Sequence, residues 1–168
     1  MRQISSALTI VLAAASAWAQ GKPVCSLLTA SDVAAVGATG AGIETTMPMS
    51  QGPTKGESLK LCNWRLTNGG LHLSIARVPP GTSRESLTAL LNQSYGKLKA
   101  KGWTEEKKDF GNISCSAMTP PPGSQDDPAT TGCLTETKGM MISIATLSKT
   151  KIPMEKAKAL VESAAGRL

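Results

Sequence analysis

A chain of 168 residues with 40% hydrophobic but only 3% aromatic residues is one domain's worth of sequence, and its core must rest on Leu, Ile, Val, Ala and Met. Its formal charge of +6 raises the question of an anionic partner; for a protein that leaves the cytoplasm this points to envelope polymers, lipid head groups or another envelope protein rather than nucleic acid, beside the plainer reading of a solvated basic surface. The single histidine excludes multi-histidine zinc sites and makes any histidine-based triad depend on one residue.

The chain opens with the short basic start Met1-Arg2-Gln3, an apolar run from Ile4 to Ala15 and the small-x-small triplet Ala17-Trp18-Ala19. That is the pattern of a cleavable export signal over 1–19, cut near Ala19, and the run is too short to span a bilayer, which takes about 20 residues. The expected mature protein is the single domain 20–168, periplasmic or secreted, of 149 residues (168 − 19) and charge +5 once Arg2 is lost. No later stretch reaches transmembrane length, and Lys22-Pro23-Val24 before Cys25 lacks the Leu and small residues of a lipoprotein processing site, so no membrane anchor is expected.

Thr29 and Asp32 have the spacing of a capping box, Leu28 and Val33 that of a hydrophobic staple, and Gly37 marks the stop of a short helix. Residues 38–58, rich in Gly, Thr, Pro and Ser, read as a long loop. Leu59 to Leu66 and Leu71 to Val78 read as two strands joined through Asn68-Gly69-Gly70. In the second, Leu71, Leu73 and Ile75 share one face, and His72, Ser74 and Ala76 share the other. Thr82 and Glu85 predict a capping box for a helix carrying Leu87, Leu90, Leu91 and Leu98, with Tyr95 beside them, lysines 97, 99 and 101 near its end and Gly102 as the stop.

The second half is β-rich. Trp103 to Phe110 reads as a strand or an extended connection, and Ile113 to Met118, Thr130 to Thr137 and Met140 to Leu147 as strands; Thr119 to Ala129, with four prolines, is a loop. Pro153 opens a last helix whose buried face is Met154, Ala157, Leu160, Val161, Ala164 and Leu168. The order α-β-β-α-(β)-β-β-β-α predicts an α+β fold: an antiparallel sheet with helices packed on one face.

Four cysteines in an oxidising compartment read as two disulfides, for which three connectivities exist. Of these, Cys25–Cys62 with Cys115–Cys133 is favoured: Cys115 and Cys133 fall in consecutive strands, where a cross-strand bridge fits, and joining Cys25, before the first helix, to Cys62, in the first strand, would tie the N-terminal tail to the sheet across the long loop.

Several of these residues carry a resemblance. Cys25-Ser26-Leu27-Leu28-Thr29, then Asp32-Val33 and Val36-Gly37, then Cys62-Asn63-Trp64, then Lys138-Gly139 and a final Ala-rich helix ending Gly166-Arg167-Leu168 resemble, in order, a family of small exported bacterial domains of unknown function, many of them actinobacterial lipoproteins. The resemblance implies an exported α+β domain stapled from its N-terminus, and it implies no reaction. The chain departs from it in lacking the lipoprotein cysteine and in carrying the Cys115/Cys133 pair.

The candidate chemistry is sparse. There is no Gly-x-Ser-x-Gly elbow, phosphate loop or His-Glu-x-x-His. Glu105-Glu106 and Asp126-Asp127 are adjacent pairs, which on a strand point to opposite faces and make a poor acid/base constellation. Lys97, Lys99, Lys101, Lys107 and Lys108 form a candidate anion-binding patch, diluted by Glu105 and Glu106. Met47-Pro48-Met49 offers soft thioethers of the kind that suit Cu(I), with His72, Met118, Met140 and Met141 elsewhere in the chain. The first expectation is a non-catalytic binding or accessory module of the cell envelope, without cofactor. The alternatives are an exported hydrolase with a site around His72 and a periplasmic Cu(I) binder using Met47 and Met49.

Overall fold

The computed structural model describes residues 22–50, 52, 54–124 and 127–168, without the side chains of Leu90, Leu91, Gln93 and Ser94. The export signal over 1–19 and Asp126 of the second acidic pair lie outside the described residues.

After a 3-10 turn over Val24–Leu27, the chain forms α1 (Ala30–Ala34), β1 (Ala38–Pro48), β2 (Ser58–Leu66), β3 (Gly69–Arg77), α2 (Arg84–Lys99), β4 (Thr104–Phe110), β5 (Ile113–Thr119), β6 (Ala129–Thr137), β7 (Met140–Ser148) and α3 (Met154–Arg167). The strands make one antiparallel sheet in the order β1-β2-β3-β7-β6-β5-β4, so β1 and β4 are its edges. The α+β class is the one expected.

The capping box of α1 forms as expected: the Asp32 N–H donates to Thr29 Oγ1 (3.2 Å) and the Thr29 N–H to Asp32 Oδ2 (2.8 Å). That of α2 does not. The Thr82 hydroxyl donates to the Pro79 carbonyl (2.8 Å), so it is spent on the turn, and Ser83 caps the helix by accepting from the Ser86 N–H (3.2 Å). The largest correction is the long loop: most of residues 38–58 is strand. Ala38–Pro48 pairs with β2 from Ala38↔Leu66 to Pro48↔Ser58, with a register break between Thr39 and Ile43. An edge strand pairs through its backbone, and β1 buries only Ala38 fully, so no hydrophobic alternation advertised it.

The helices do not all pack on one face, which corrects the second expectation. Leu71, Leu73 and Ile75 of β3, Cys115 and Ala117 of β5 and Ile142 and Ile144 of β7 form the main core with Met154, Ala157, Leu160, Val161 and Ala164 of α3. Buried threonines on this face satisfy their hydroxyls on backbone: Thr131 donates to the Ile152 carbonyl (2.7 Å) and Thr135 to that of Asn112 (3.1 Å). Helix α2 lies on the opposite face, where Leu87 packs with Ala76, Leu134 and Met141. The arrangement follows from the strand period of two: alternate residues of the same strands feed both clusters.

Both disulfides join the expected partners. Cys115 and Cys133 are direct register partners with Cα atoms 4.1 Å apart. Cys25 and Cys62 have Cα atoms 5.1 Å apart and tie the N-terminal turn to β2. The C-terminus is fastened to the same corner: Arg167 Nη1 donates to Asp32 Oδ2 (2.6 Å) and to the Leu27 carbonyl (3.0 Å).

Candidate functional site: the open half of the sheet

Helix α2 lies over β4 and β5, with Tyr95 reaching Gly132 of β6 and Leu87 reaching Ala76 of β3 and Met141 of β7 at one end of the sheet. Across the β1–β2–β3–β7 side, the strand period and the register place a second set of side chains in rows. Ile43, Asn63, His72 and Ala145 form one row; Thr45, Leu61, Ser74 and Ser143 form the next; Arg65, Gly70 and Leu147 flank them. Met47 and Leu59 extend the surface towards the end of β1. Ile43 at 70% exposed, Met47 at 45% and Leu147 at 37% are the exposed large hydrophobics among the described residues, and all three lie on this face.

His72 sits at its centre, half-buried. Its Nδ1 is 2.5 Å from Asn63 Oδ1. The Asn63 amide nitrogen is turned to the Ile43 carbonyl (3.5 Å), so its oxygen faces the ring and Nδ1 carries the imidazole proton. Nε2 therefore keeps its lone pair, and it lies where a Cβ on Gly70 would come within 3.0 Å, so that glycine leaves the ring its space. Burial lowers the His72 pKa from its ordinary value, keeping the ring neutral at neutral pH.

Among the described residues, Asn63 is the hydrogen-bonding partner of the His72 ring, and no hydroxyl or carboxylate is linked to it. The nearest hydroxyl on the same face of β3, that of Ser74, bonds to Ser143 Oγ at 2.6 Å rather than to His72. The ring's orienting partner is an amide, and within β1, β2, β3 and β7 the rows on either side of His72 hold no carboxylate, Asp109 and Glu105 standing at the far β4 ends of those rows. All four cysteines are in disulfides.

The structure distributes the other candidates. Lys107 and Lys108 project to opposite faces of β4: Lys107 donates to Asn92 of α2 (2.7 Å), and Lys108 pairs with Glu155 of α3 (2.7 Å) while lying over the Phe110 ring (4.7 Å to the centroid). Lys99 pairs with Glu105, and Lys107 Nζ is 3.3 Å from the second oxygen of the same carboxylate. Burial works to raise the Glu105 pKa, but the two lysines outweigh it and hold the carboxyl below the usual range. Lys97 and Lys101 make no ion pair among the described residues. Glu105 and Glu106 turn to opposite faces as expected, Glu106 pairing with Lys151 at 2.7 Å.

Met47 is exposed on β1, whereas Met49 is half-buried in the following loop. His72 aligns with Ile43, four residues from Met47, a separation of about 13 Å along a strand. Met118 and Met141 are buried on the α2 side. Among the described residues no group of three or more His, Cys, Asp or Glu is placed to hold a metal, and no helix is long and apolar enough to cross a membrane.

Sequence reasoning finds His72 but not the face around it. Its outer row, Ile43, Thr45 and Met47, comes from β1, and Asn63 is flagged in the sequence only as the neighbour of Cys62 and Trp64. The available signal was its register: counting back through the hairpin from His72 puts Asn63 directly opposite.

Fold and site together define an antiparallel α+β sheet protein, stapled by two disulfides, with part of one sheet face uncovered among the described residues. No protein-family model matches the chain, and no curated protein does. Among solved structures the chain is similar to the solution structure of cyanobacterial PsbP (CyanoP) from Synechocystis sp. PCC 6803, with 12% identity and a TM-score of 0.37 over 74% of this chain and 79% of that one. A likeness at that level does not establish a shared fold or function.

Proposed function

We propose that the protein is a non-catalytic binding module of the cell envelope, periplasmic or secreted, that engages another envelope protein through the open β1–β2–β3–β7 face. One observation carries this reading: the only histidine is held by an amide, beside a serine pair bonded to itself, in a surface of Ile, Leu, Met, Thr and Ser with Arg65 as its one charged side chain. Depletion of charge around exposed apolar side chains is the composition of a protein-binding core. The basic patch supports an anionic partner less well, because Glu105 and Glu155 occupy three of its five lysines.

Two disulfides fit an oxidising compartment and agree with the export signal read in the sequence. The reading is tested by assaying the exported protein and His72→Ala against chromogenic ester and peptide substrates. The expected result is no turnover that depends on His72; activity abolished by His72→Ala would overturn the reading in favour of a hydrolase.

A further inference from the structure

The two edges of the sheet are built differently. Five of the seven residues of β4 are charged, Glu105, Glu106, Lys107, Lys108 and Asp109, and charged side chains are the usual guard against edge-to-edge pairing. β1 carries a single charge over eleven residues, Glu44, and its carboxylate is taken by the Cys25 N–H at 2.7 Å. The segment of β1 in continuous register with β2 after the break runs from Ile43 to Pro48. Proline limits pairing at its far end, because it has no N–H to give. The usable window is therefore Ile43 to Met47, and its centre is Thr45.

That window is self-complementary. An antiparallel copy placed across a twofold axis at Thr45 sets Ile43 against the partner's Met47, Glu44 against the partner's Thr46 and Thr45 against itself. Ile43 and Met47, which are 70% and 45% exposed, lie on the same open face and meet twice across the axis. No like charges are opposed, and apolar and Thr–Thr cross-strand pairs are both favourable. The register break, itself an edge-blunting feature, falls just before the window rather than inside it.

We propose that β1 is a self-association edge, and that a second copy of this chain adds its own Ile43–Met47 segment to form one continuous sheet across two molecules. The inference goes beyond the open-face reading and does not depend on it: the edge pairs through backbone, and of each copy's open face only Ile43, Thr45 and Met47 of β1 meet the partner. Five residue pairs bury well under the roughly 800 Å² per partner of a stable interface, so the dimer is weak and concentration-dependent.

The test is sedimentation velocity on the exported, oxidised protein from about 10 μM to about 1 mM, the range in which so small an interface associates, with ¹⁵N–¹H spectra at both ends. The wild type is expected to shift towards dimer with concentration, moving the Ile43–Met47 amides and leaving those of Thr104–Phe110 in place. Ile43→Lys and Met47→Lys, at exposed positions, are expected to weaken association about tenfold or more with an unchanged melting temperature. A wild type that stays monomeric throughout, a dimer indifferent to both lysine variants, or concentration-dependent shifts centred on Thr104–Phe110 would overturn the proposal.

Discussion

Gly42 is where the edge strand meets the first disulfide. A Cβ built there would lie 2.3 Å from Cys62 Sγ, 2.7 Å from Cys25 Sγ and 2.8 Å from Trp64 Cε2. Ordinary contact begins near 3.4 Å, so the Gly42→Ala methyl must push β1 away from the bridge by about 1 Å or displace Trp64, which is itself only 6% exposed. The neighbours are a covalent bridge and a packed indole rather than the far end of a flexible side chain. An overpacking cost of about 1–3 kcal/mol follows, which for a domain of this size lowers the melting temperature by roughly 3–10 °C. Circular dichroism melts of oxidised wild type and Gly42→Ala measure it directly. Gly96→Ala is the control, at a helical position with nothing within 4 Å, where the substitution removes the helix-propensity penalty and stabilises by about 0.5–1 kcal/mol. A Gly42→Ala protein melting within about 1 °C of wild type would refute the placement of residues 38–48 as a strand on the disulfide.

Replacing Cys115 and Cys133 together by Ser reopens an 18-residue separation and is expected to cost about 3 kcal/mol, and the Cys25/Cys62 pair, 37 residues apart, about 4 kcal/mol, measured by urea denaturation. For Asp32, burial raises the pKa, but the Thr29 hydrogen bonds and Arg167 outweigh it and the value is lowered. A carboxyl depressed in the folded state stabilises above its unfolded pKa of about 4 and loses that contribution as pH falls through the lower folded value, so Asp32→Asn is expected to flatten the acid limb of the stability curve below about pH 4. Tyr95 is the single tyrosine, and burial chiefly raises its pKa, with Glu105 adding to the rise and Ser116 opposing it. Ultraviolet absorbance titration is expected to give a midpoint above 10, moving down in Glu105→Gln; no movement would place Tyr95 away from that carboxylate.

The sequence displayed what is buried and hid what is paired at an edge. Leu71, Leu73 and Ile75 alternate because one side of β3 meets α3, and Met154, Ala157, Leu160, Val161 and Ala164 recur at helical spacing for the same reason. The Cys115/Cys133 pairing was legible because a disulfide needs a short Cα separation and consecutive strands supply it, whereas Cys25 lies in the turn before α1 and no strand order brings it to Cys62. β1 was not legible, because Thr, Gly and Ala at an exposed edge have no pattern to read, and only the partner strand reveals it. The side of the sheet that α2 covers was equally silent, since Ser114, Ser116 and Gly132 are small residues whose role emerges only once Tyr95 and Arg84 lie over them. The lysines looked like one patch because they are near in sequence, whereas strand alternation sends Lys107 and Lys108 to opposite faces.

Crosslinking in living cells reads whether the open face is where a partner binds. A photo-crosslinking amino acid introduced in turn at Leu61, Leu147 and Lys97 samples the face twice and the basic end of α2 once. Discrete crosslinks to a protein are expected from Leu61 and Leu147 and none from Lys97. Crosslinks from Lys97 with both sheet positions silent would contradict that placement and move the binding surface to the other end of the molecule.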